Sequence, residues 1–293
     1  MTSVMLQPEL RHAPAPSSGQ GGMKSVLLHI QDDEGLEARL QAAFAIVRAS
    51  GGHITCIHVT PMSAFVGFET FGGAYAMTEL FNQLEEHETA MRARIEAHMG
   101  KEDVAWSYER QTSDPVSALV NHGALADLIV VGRSQPSQSS AYRPMAIIGQ
   151  MLNSSHTPLL VCSKDQKRFD PLGTAVVAWN GSFEAANALR AALPLLKQAS
   201  AVHIVTVDED KDFDFPPLDA SEYLSRHDVH AEMIRETKGT QSVDERLVGT
   251  AQSLDASYLV MGAYGHSRAR EYLFGGVTRS LLEECSLPLV LAR

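Results

Sequence analysis

Glycines surround a predicted strand end and helix start near the end of the chain, in a pattern suited to binding an anion. They follow the apolar run at residues 258–261 in the arrangement G-x2-G-x9-G-G-x-T, as Gly262, Gly265, Gly275 and Gly276. Glycine lets the backbone approach a ligand closely and adopt positive φ, and the unpaired N–H groups of a helix start bind anions. At this helix start those donors would belong to Gly276, Val277 and Thr278. The pattern predicts a phosphate site, and the alternative is that the glycines only close a turn and begin a helix.

This loop belongs to the second of two similar parts of the chain. Two pairs of segments match at a single offset of 130, namely 126–132 with 256–262 and 157–161 with 287–291. A third match pairs Asp32 with Asn180 at an offset of 148, so the first part has about 18 more residues, predicted at 62–75 and in a longer helix behind them. The predicted organisation is a disordered tail at 1–22, a first copy at 23–165 and a second copy at 170–293.

Short apolar runs alternate with helical patterns in both copies. In the first copy the apolar runs are 26–30, 54–59, 128–131 and 158–162, and helical patterns such as 36–49 and 77–98 separate them. Uninterrupted apolar strands between helices are typical of a parallel sheet that is covered on both faces. The predicted fold class is therefore α/β, with two tandem doubly wound parallel five-stranded sheets and helices on both faces.

The corresponding loop of the first copy lacks most of these glycines. Gly132 matches the first of them, but the next three positions are occupied by Gln135, Met145 and Ala146. Pro136 and Pro144 also remove backbone donors from this loop. Because side chains at these positions should block the close approach of a phosphate, we expect the first copy to lack the anion site.

The composition excludes several classes of protein. With 24 Lys and Arg against 35 Asp and Glu, the net charge is −11, which argues against nucleic acid or an anionic membrane as a partner. No apolar run approaches the roughly 20 residues that span a bilayer, and the first 22 residues lack the apolar segment of a secretion signal, so a cytoplasmic protein is expected. Cys56, Cys162 and Cys285 fit no disulfide or metal-binding spacing and are predicted to be buried thiols.

Taken together, these motifs resemble the universal stress protein family in its tandem form, with two such domains in one chain. The resemblance covers nearly everything after residue 23. Four features of the second copy carry it: the Trp-Asn-Gly-Ser turn at 179–182, the strand end at 205–207, the glycine loop, and the closing segment at 287–290. The resemblance implies a fold like that of the adenine nucleotide alpha hydrolases.

The resemblance also implies which residues would contact a nucleotide. Nucleotide-binding members hold the phosphates and ribose of ATP with G-x2-G-x9-G followed by Ser or Thr. The glycines that match this pattern by position are Gly262, Gly265 and Gly275. Gly276 stands where the family has the hydroxyl, and Thr278 follows two residues later. Asn180 replaces the family's Asp near the nucleoside, and Val207 stands where the family has an apolar wall for adenine.

Three functions remain open on the sequence alone. The resemblance favours a stress-response protein that is not an enzyme and that binds ATP or ADP, with or without Mg²⁺, in the second copy as a regulatory ligand. The second reading is a nucleotide-free scaffold that acts through an unknown protein partner, and the replacements at Gly276 and Asn180 point partway towards it. The third reading, a slow ATP hydrolase, lacks an identifiable general base or metal-binding carboxylate at the loop.

The resemblance further implies how the copies associate. The last strands, at 159–162 and 289–291, are expected to form the contact between the copies around a pseudo-twofold axis. A homodimer of the whole chain, formed through the last strands, is also expected.

Overall fold

The structure is a computed structural model. It describes residues 21–61, 74–135, 143–166, 168–208, 214–263 and 274–293. All but the last two residues of the predicted tail at 1–22, and most of the predicted insertion at 62–75, lie outside the described residues.

The first copy alternates strands and helices as the sequence predicts. Its described elements are β1 (Ser25–Ile30), α1 (Leu36–Ser50), β2 (His53–Pro61), α2 (Ala74–Met99), β3 (Ala105–Ser113), α3 (Pro115–Gly123), β4 (Leu128–Gly132), α4 (Pro144–Ser154) and β5 (Leu159–Cys162). Where the sequence analysis gave bounds, the observed ends differ from them by no more than three residues.

The second copy repeats this order. Its described elements are β6 (Thr174–Ala178), α5 (Phe183–Leu196), β7 (Ala201–Asp208), α6 (Pro217–Ser225), β8 (Ala231–Thr237), α7 (Val243–Ser253), β9 (Tyr258–Gly262), α8 (Gly276–Glu284) and β10 (Leu289–Ala292). Helix α2 has 26 residues and its counterpart α6 has 9, so the predicted longer helix of the first copy is confirmed.

Helix starts coincide with capping residues that the sequence supplies. Asp114 accepts a hydrogen bond of 2.9 Å from the N–H of Ser117, and a proline follows it in the first turn of α3. At α7, Ser242 and Glu245 form a capping box in which each side chain accepts from the other's backbone N–H. Such caps satisfy donors that a helix start leaves unpaired, and each contributes on the order of 1 kcal/mol.

The two copies form one continuous sheet of ten strands. The strand order is β3-β2-β1-β4-β5-β10-β9-β6-β7-β8, and all neighbours are parallel except β5 and β10. In that antiparallel pair Leu160 lies beside Val290. The expectation that the last strands join the copies is therefore confirmed within one chain. Since β5 and β10 each have strands on both sides, neither has a free edge for a second chain, and a homodimer formed through these strands does not fit this sheet.

Each face of the sheet has its own apolar core. Alternate residues of β1 belong to different clusters, as Val26 and Leu28 do to one and Leu27 to the other. The first cluster includes residues of α1, α2, α5 and α6, and the second includes residues of α3, α4, α7 and α8. Helices thus cover both faces of each parallel half, which confirms the predicted doubly wound α/β fold.

The sheet corrects the alignment of the two copies by one residue. Val26 of β1 and Ala175 of β6 occupy equivalent positions, each beside the first residue of the neighbouring β4 or β9. The offset at this strand is therefore 149, and the pairing of Asp32 with Asn180 is wrong. The counterpart of Asn180 is Gln31.

The cysteines are free and buried, as predicted. Burial raises the pKa of all three thiols, that of Cys162 to about 12. Across the described ranges, no helix combines the length and apolar character needed to cross a bilayer.

Candidate functional site

Three strand ends of the second copy meet at one edge of the sheet. Strand β6 lies between β9 and β7, and Ala178 pairs with Met261 on one side and with Val205 on the other. The chain passes from β6 to β7 on one side, whereas β9 comes later and lies on the other side, so the strand order reverses here. In open α/β sheets, ligands bind beyond the carboxyl ends of the strands at such a reversal. The predicted site residues at or just beyond these strand ends are Asn180, Val207 and Gly262.

The turn that follows β6 is held by side-chain hydrogen bonds. The Oδ1 of Asn180 accepts from the N–H of Ser182 at 3.2 Å and from its hydroxyl at 2.8 Å. The hydroxyl oxygen of Ser182 in turn accepts from the N–H of Ala185 and caps α5. Gly181 between them has φ of 70°, a conformation that favours glycine. Asn180 is exposed, and among the described residues none accepts from its Nδ2, so this amide can donate to a ligand.

Packing alone explains two of the predicted positions. A Cβ at Gly262 would lie 2.5 Å from the carbonyl carbon of Glu184 and 2.6 Å from the nitrogen of Ala185, so α5 begins directly against the end of β9. Val207 is 8% exposed and belongs to the apolar core on the α7 and α8 face. Gly265 lies outside the described residues. Neither Gly262 nor Val207 therefore argues for a ligand by itself.

Helix α8 begins with backbone donors that have no acceptor within the helix. Gly275 precedes the helix without a side-chain cap, and the first intrahelical bond runs from Arg279 N–H to Gly275 O at 2.9 Å. The N–H groups of Gly276, Val277 and Thr278 come before that bond and have no intrahelical acceptor. Gly276 is exposed, and a Cβ there would meet no atom within 4 Å. Thr278 is buried on the inner face of α8, so it would offer a ligand its backbone N–H.

A buried ion pair fills the equivalent edge of the first copy. Arg39 of α1 places its Nη1 at 2.9 and 3.0 Å from the two carboxylate oxygens of Asp33, and both side chains are 0% exposed. Its other nitrogens donate to the backbone carbonyls of His29 and Gln31. A Cβ at Gly132 would lie 2.0 Å from Arg39 Nη1. In the first copy the glycine at the end of β4 therefore makes room for an internal guanidinium.

Several other polar side chains near this edge are also paired or neutral. The ring of His29 is buried, and burial, Arg39 and His58 together lower its pKa to about 3, so it is neutral at physiological pH. His58 Nδ1 lies 3.1 Å from the hydroxyl of Tyr108, and the carboxylate of Glu88 accepts a hydrogen bond from Thr60. These side chains of the first copy are therefore paired or neutral, whereas the buried Oε1 of Gln31 has no partner among the described residues.

The helix that follows β4 is also less suited to an anion. Helix α4 begins with Pro144, which has no N–H to offer. Gln135 and Met145, which were predicted to block a phosphate, instead line a cleft of about 640 Å³ between the copies, opposite the end of α8. The space directly beside the end of β4 is filled by Arg39. That Gln135 and Met145 also block a phosphate stays a prediction.

Comparison with known proteins shows the family of this chain. The model of the universal stress protein family matches residues 23–163 and, a second time, residues 172–293. The chain belongs to the universal stress protein family. A universal stress protein of Synechocystis sp. is 25% identical over 305 residues, which cover 92% of this chain and 100% of the relative.

Solved universal stress proteins share the fold of the whole chain. One from Archaeoglobus fulgidus superposes with a TM-score of 0.67 at 16% identity and covers 92% of this chain and 98% of its own. Another, from Pseudomonas aeruginosa, has a TM-score of 0.52 at 16% identity and covers 92% of this chain and 93% of its own. At these identities the likeness shows the fold alone.

The residue of this universal stress protein that fills the sheet edge of the first copy, Arg39, was not among the residues predicted from sequence. Arg39 stands in α1 among Leu36, Leu40 and Ala43, which are all buried. A charged residue on the apolar face of a helix is the signal that could have found it, because such a side chain needs a buried partner.

Proposed function

We propose that the second copy binds ATP or ADP as a regulatory ligand, with the phosphates at the start of α8. The observation that carries this proposal is the open glycine start of that helix, where three N–H groups precede the first intrahelical bond. One favourable charge interaction at a helix N-terminus contributes roughly 0.3–1 kcal/mol, and about 2 kcal/mol when partly buried. Several donors must therefore act together on the phosphates, as the glycine loop of the family allows.

The neighbouring residues are compatible with an anionic ligand. Asn180 stands in the turn beside the strand reversal and adds a free amide donor without the negative charge of a carboxylate. The apolar wall that the family has beside adenine would here be Val207, whose side chain also belongs to the core and is 8% exposed. Mg²⁺ bound with the nucleotide would be held largely by the phosphates and by water, as is usual for this ion.

The two copies support assigning the nucleotide to the second one. The edge of the first copy is filled by the buried pair of Arg39 and Asp33, and its helix α4 begins with a proline. At the matching position of α5 the second copy has Ala188, the counterpart of Arg39 at the corrected offset of 149. We therefore expect one nucleotide per chain. A bound nucleotide would change the protein's conformation or partners only through different affinities for its states.

The direct test is to denature the purified protein and identify any released nucleotide by mass. Calorimetric titration of the nucleotide-free protein with ATP and with ADP then gives the stoichiometry. The expected result is one site per chain. A wild type that carries no nucleotide and binds neither would contradict the proposal and favour the nucleotide-free scaffold.

A matched pair of substitutions locates the site. Gly276→Glu places a carboxylate at the exposed start of α8, where a Cβ meets no atom within 4 Å, so the fold should be retained. Ala146→Glu makes the same change at the corresponding exposed position of α4. We expect Gly276→Glu to weaken ADP binding by at least tenfold, about 1.4 kcal/mol, and Ala146→Glu to leave it unchanged. Equal affinities in both variants would exclude the start of α8 as the phosphate site.

ATP turnover separates the regulatory role from catalysis. We expect the loaded protein to hydrolyse ATP no faster than the buffer control. Hydrolysis above that background which Gly276→Glu abolishes would instead support the slow ATP hydrolase.

A further inference from the structure

One arginine of the first copy contacts the end of the helix that carries the proposed phosphate site. Arg133 directly follows β4, and its Nη1 donates to the carbonyl oxygen of Leu281 at 3.3 Å and to that of Leu282. Its Nη2 donates to the carbonyl oxygen of Cys285. A single guanidinium thus donates to three backbone carbonyls at the end of α8. We name this set of hydrogen bonds the Arg133 contact.

The Arg133 contact addresses a general weakness of helix ends. The last carbonyls of a helix lack intrahelical donors and carry a partial negative charge, so a cation placed there is stabilising. The side chain of Arg133 is partly buried, and burial lowers its pKa, but a guanidinium remains charged at physiological pH. Its planar fork can serve several acceptors at once, which an ammonium group does less well.

Helix α8 is short enough for one end to affect the other. Its nine residues span about 13 Å at 1.5 Å per residue. Isolated helices of this length are unstable in water, so tertiary contacts must hold it in place. Those contacts include the buried side chains of Thr278, Leu281 and Leu282, a hydrogen bond from Ser280 to α7, and the Arg133 contact.

The residue that matches Arg133 in the other copy does not repeat the Arg133 contact. At the offset of 130 the counterpart of Arg133 is Ala263, whose methyl group cannot reach the carbonyls at the end of α4. Among the described residues of the second copy, Arg293 contacts the side-chain oxygen of Asn153 near the end of α4. The copy with the open helix start therefore receives a guanidinium on its helix carbonyls from the opposite copy.

We propose that Arg133 is a positioning residue through which the first copy sets the nucleotide affinity of the second. The proposal rests on the proposed function of α8. Arg133 holds the end of α8 against the first copy, and this fixes the direction of the N–H groups at the opposite end, where the phosphates bind. The first copy thus contributes to a binding site that it does not itself contain.

The experiment uses the full chain and three variants. Arg133→Gln removes the charge and the fork, Arg133→Lys keeps a cation, and Arg293→Gln removes the arginine contact on the other copy as a matched control. Circular dichroism checks that each variant is folded. We expect Arg133→Gln to raise the Kd for ADP about 5- to 10-fold, at the lower end of typical couplings between sites. Arg133→Lys should recover part of the affinity, and Arg293→Gln should bind ADP as the wild type does.

Hydrogen exchange distinguishes positioning from a loss of stability. Because coupling between two sites is reciprocal, ADP bound at the start of α8 should slow amide exchange at the end of α8 in the wild type. In Arg133→Gln that protection should be lost at the end of the helix, even with ADP at saturating concentration. Exchange in α4 should not respond to Arg133→Gln.

Several results would overturn the proposal. One is that Arg133→Gln binds ADP as tightly as the wild type does, although its α8 amides exchange faster. The Arg133 contact would then be lost without any effect on ADP affinity. Another is an equal loss of affinity in Arg293→Gln, which would indicate general destabilisation. If Arg133→Gln does not fold, wild-type affinity in Arg133→Lys with faster α8 exchange is also a refutation. A wild type that binds no nucleotide refutes the proposed function, and this inference with it, and is recognised before any variant is made.

Discussion

The buried pair of Arg39 and Asp33 makes a strong prediction about stability. Asp33→Asn removes the carboxylate but keeps the size of the side chain. Both charged groups are 0% exposed, and Arg39 would be left with its bonds to the carbonyls of His29 and Gln31 but without a counter-charge. A buried cation without a partner is costly, because neither solvent nor a neighbouring anion compensates it.

The size of the effect follows from the geometry. Removing one partner of a buried ion pair costs about 3–5 kcal/mol. The N–H of Gly35 now donates to Asp33 Oδ1 at 2.7 Å, and the amide oxygen that the substitution introduces could still accept this bond, so the lower end of that range applies. A loss of about 3 kcal/mol with a slope of about 3 kcal/mol per molar moves the midpoint of urea unfolding down by about 1 M.

Urea unfolding followed by circular dichroism measures this shift. The matched control is Glu222→Gln on α6, whose partner Arg226 lies 3.0 Å away and is 74% exposed. Exposed pairs at this spacing contribute only about 0.3–0.5 kcal/mol, so the control midpoint should hardly move. The double replacement of Asp33 by Leu and Arg39 by Met should recover much of the loss, since it leaves no buried charge. If Asp33→Asn shifts the midpoint no more than Glu222→Gln does, the pair is not desolvated as the structure indicates.

Three further predictions concern pH, backbone packing and thiols. The pKa of His29 is about 3 in the folded protein, below its unfolded value of 6.5. Between these pH values the unfolded chain binds a proton that the folded protein does not. The free energy of unfolding should therefore fall as the pH drops from 6.5 towards 3. His29 can contribute at most about 1.4 kcal/mol per pH unit to the slope of the free energy of unfolding against pH. Urea titrations across this range should give a shallower slope for His29→Gln than for the wild type. Equal slopes would contradict the assignment of this pH dependence to His29. Gly262→Ala should lower the melting temperature because its Cβ would overlap the backbone of α5, whereas Gly276→Ala should leave it unchanged or raise it, and calorimetric scans that reverse this order would contradict the packing. Cys56 and Cys162 should react with a thiol reagent only when the protein unfolds, and rapid reaction of the folded protein would show that they are accessible.

Much of the fold could be predicted from the sequence because it depends on apolar side chains. Runs such as Leu128–Gly132 are buried on both faces of the sheet, so their hydrophobic character is visible without any knowledge of their neighbours. Because the same pattern recurs in the second copy, the repeat allowed its strands and helices to be predicted in the same way. The exception was the alignment of Asp32 with Asn180, because a turn carries no periodic pattern that would fix its register.

The site was harder to predict because its properties depend on contacts between distant residues. Gly132 and Gly262 look alike in sequence, yet one makes room for Arg39 and the other for the start of α5. Arg133 contacts carbonyls about half the chain away, and backbone carbonyls leave no trace in residue types. Its only sequence signal is that the second copy has Ala263 at the matching position. The residue types and their spacing therefore indicated the exposed glycine start of α8. The contact of Arg133 with the other end of this helix could be found only in the three-dimensional structure.

The antiparallel seam between β5 and β10 has a consequence for biosynthesis. When the ribosome has completed the first copy, β5 has one parallel neighbour, and its other partner is the final strand of the second copy. At usual elongation rates that partner is translated on the order of ten seconds later. During this interval β5 is an exposed edge strand of the nascent protein, and its apolar residues can pair with other chains. The sheet is therefore completed only after the last strand of the chain has been made.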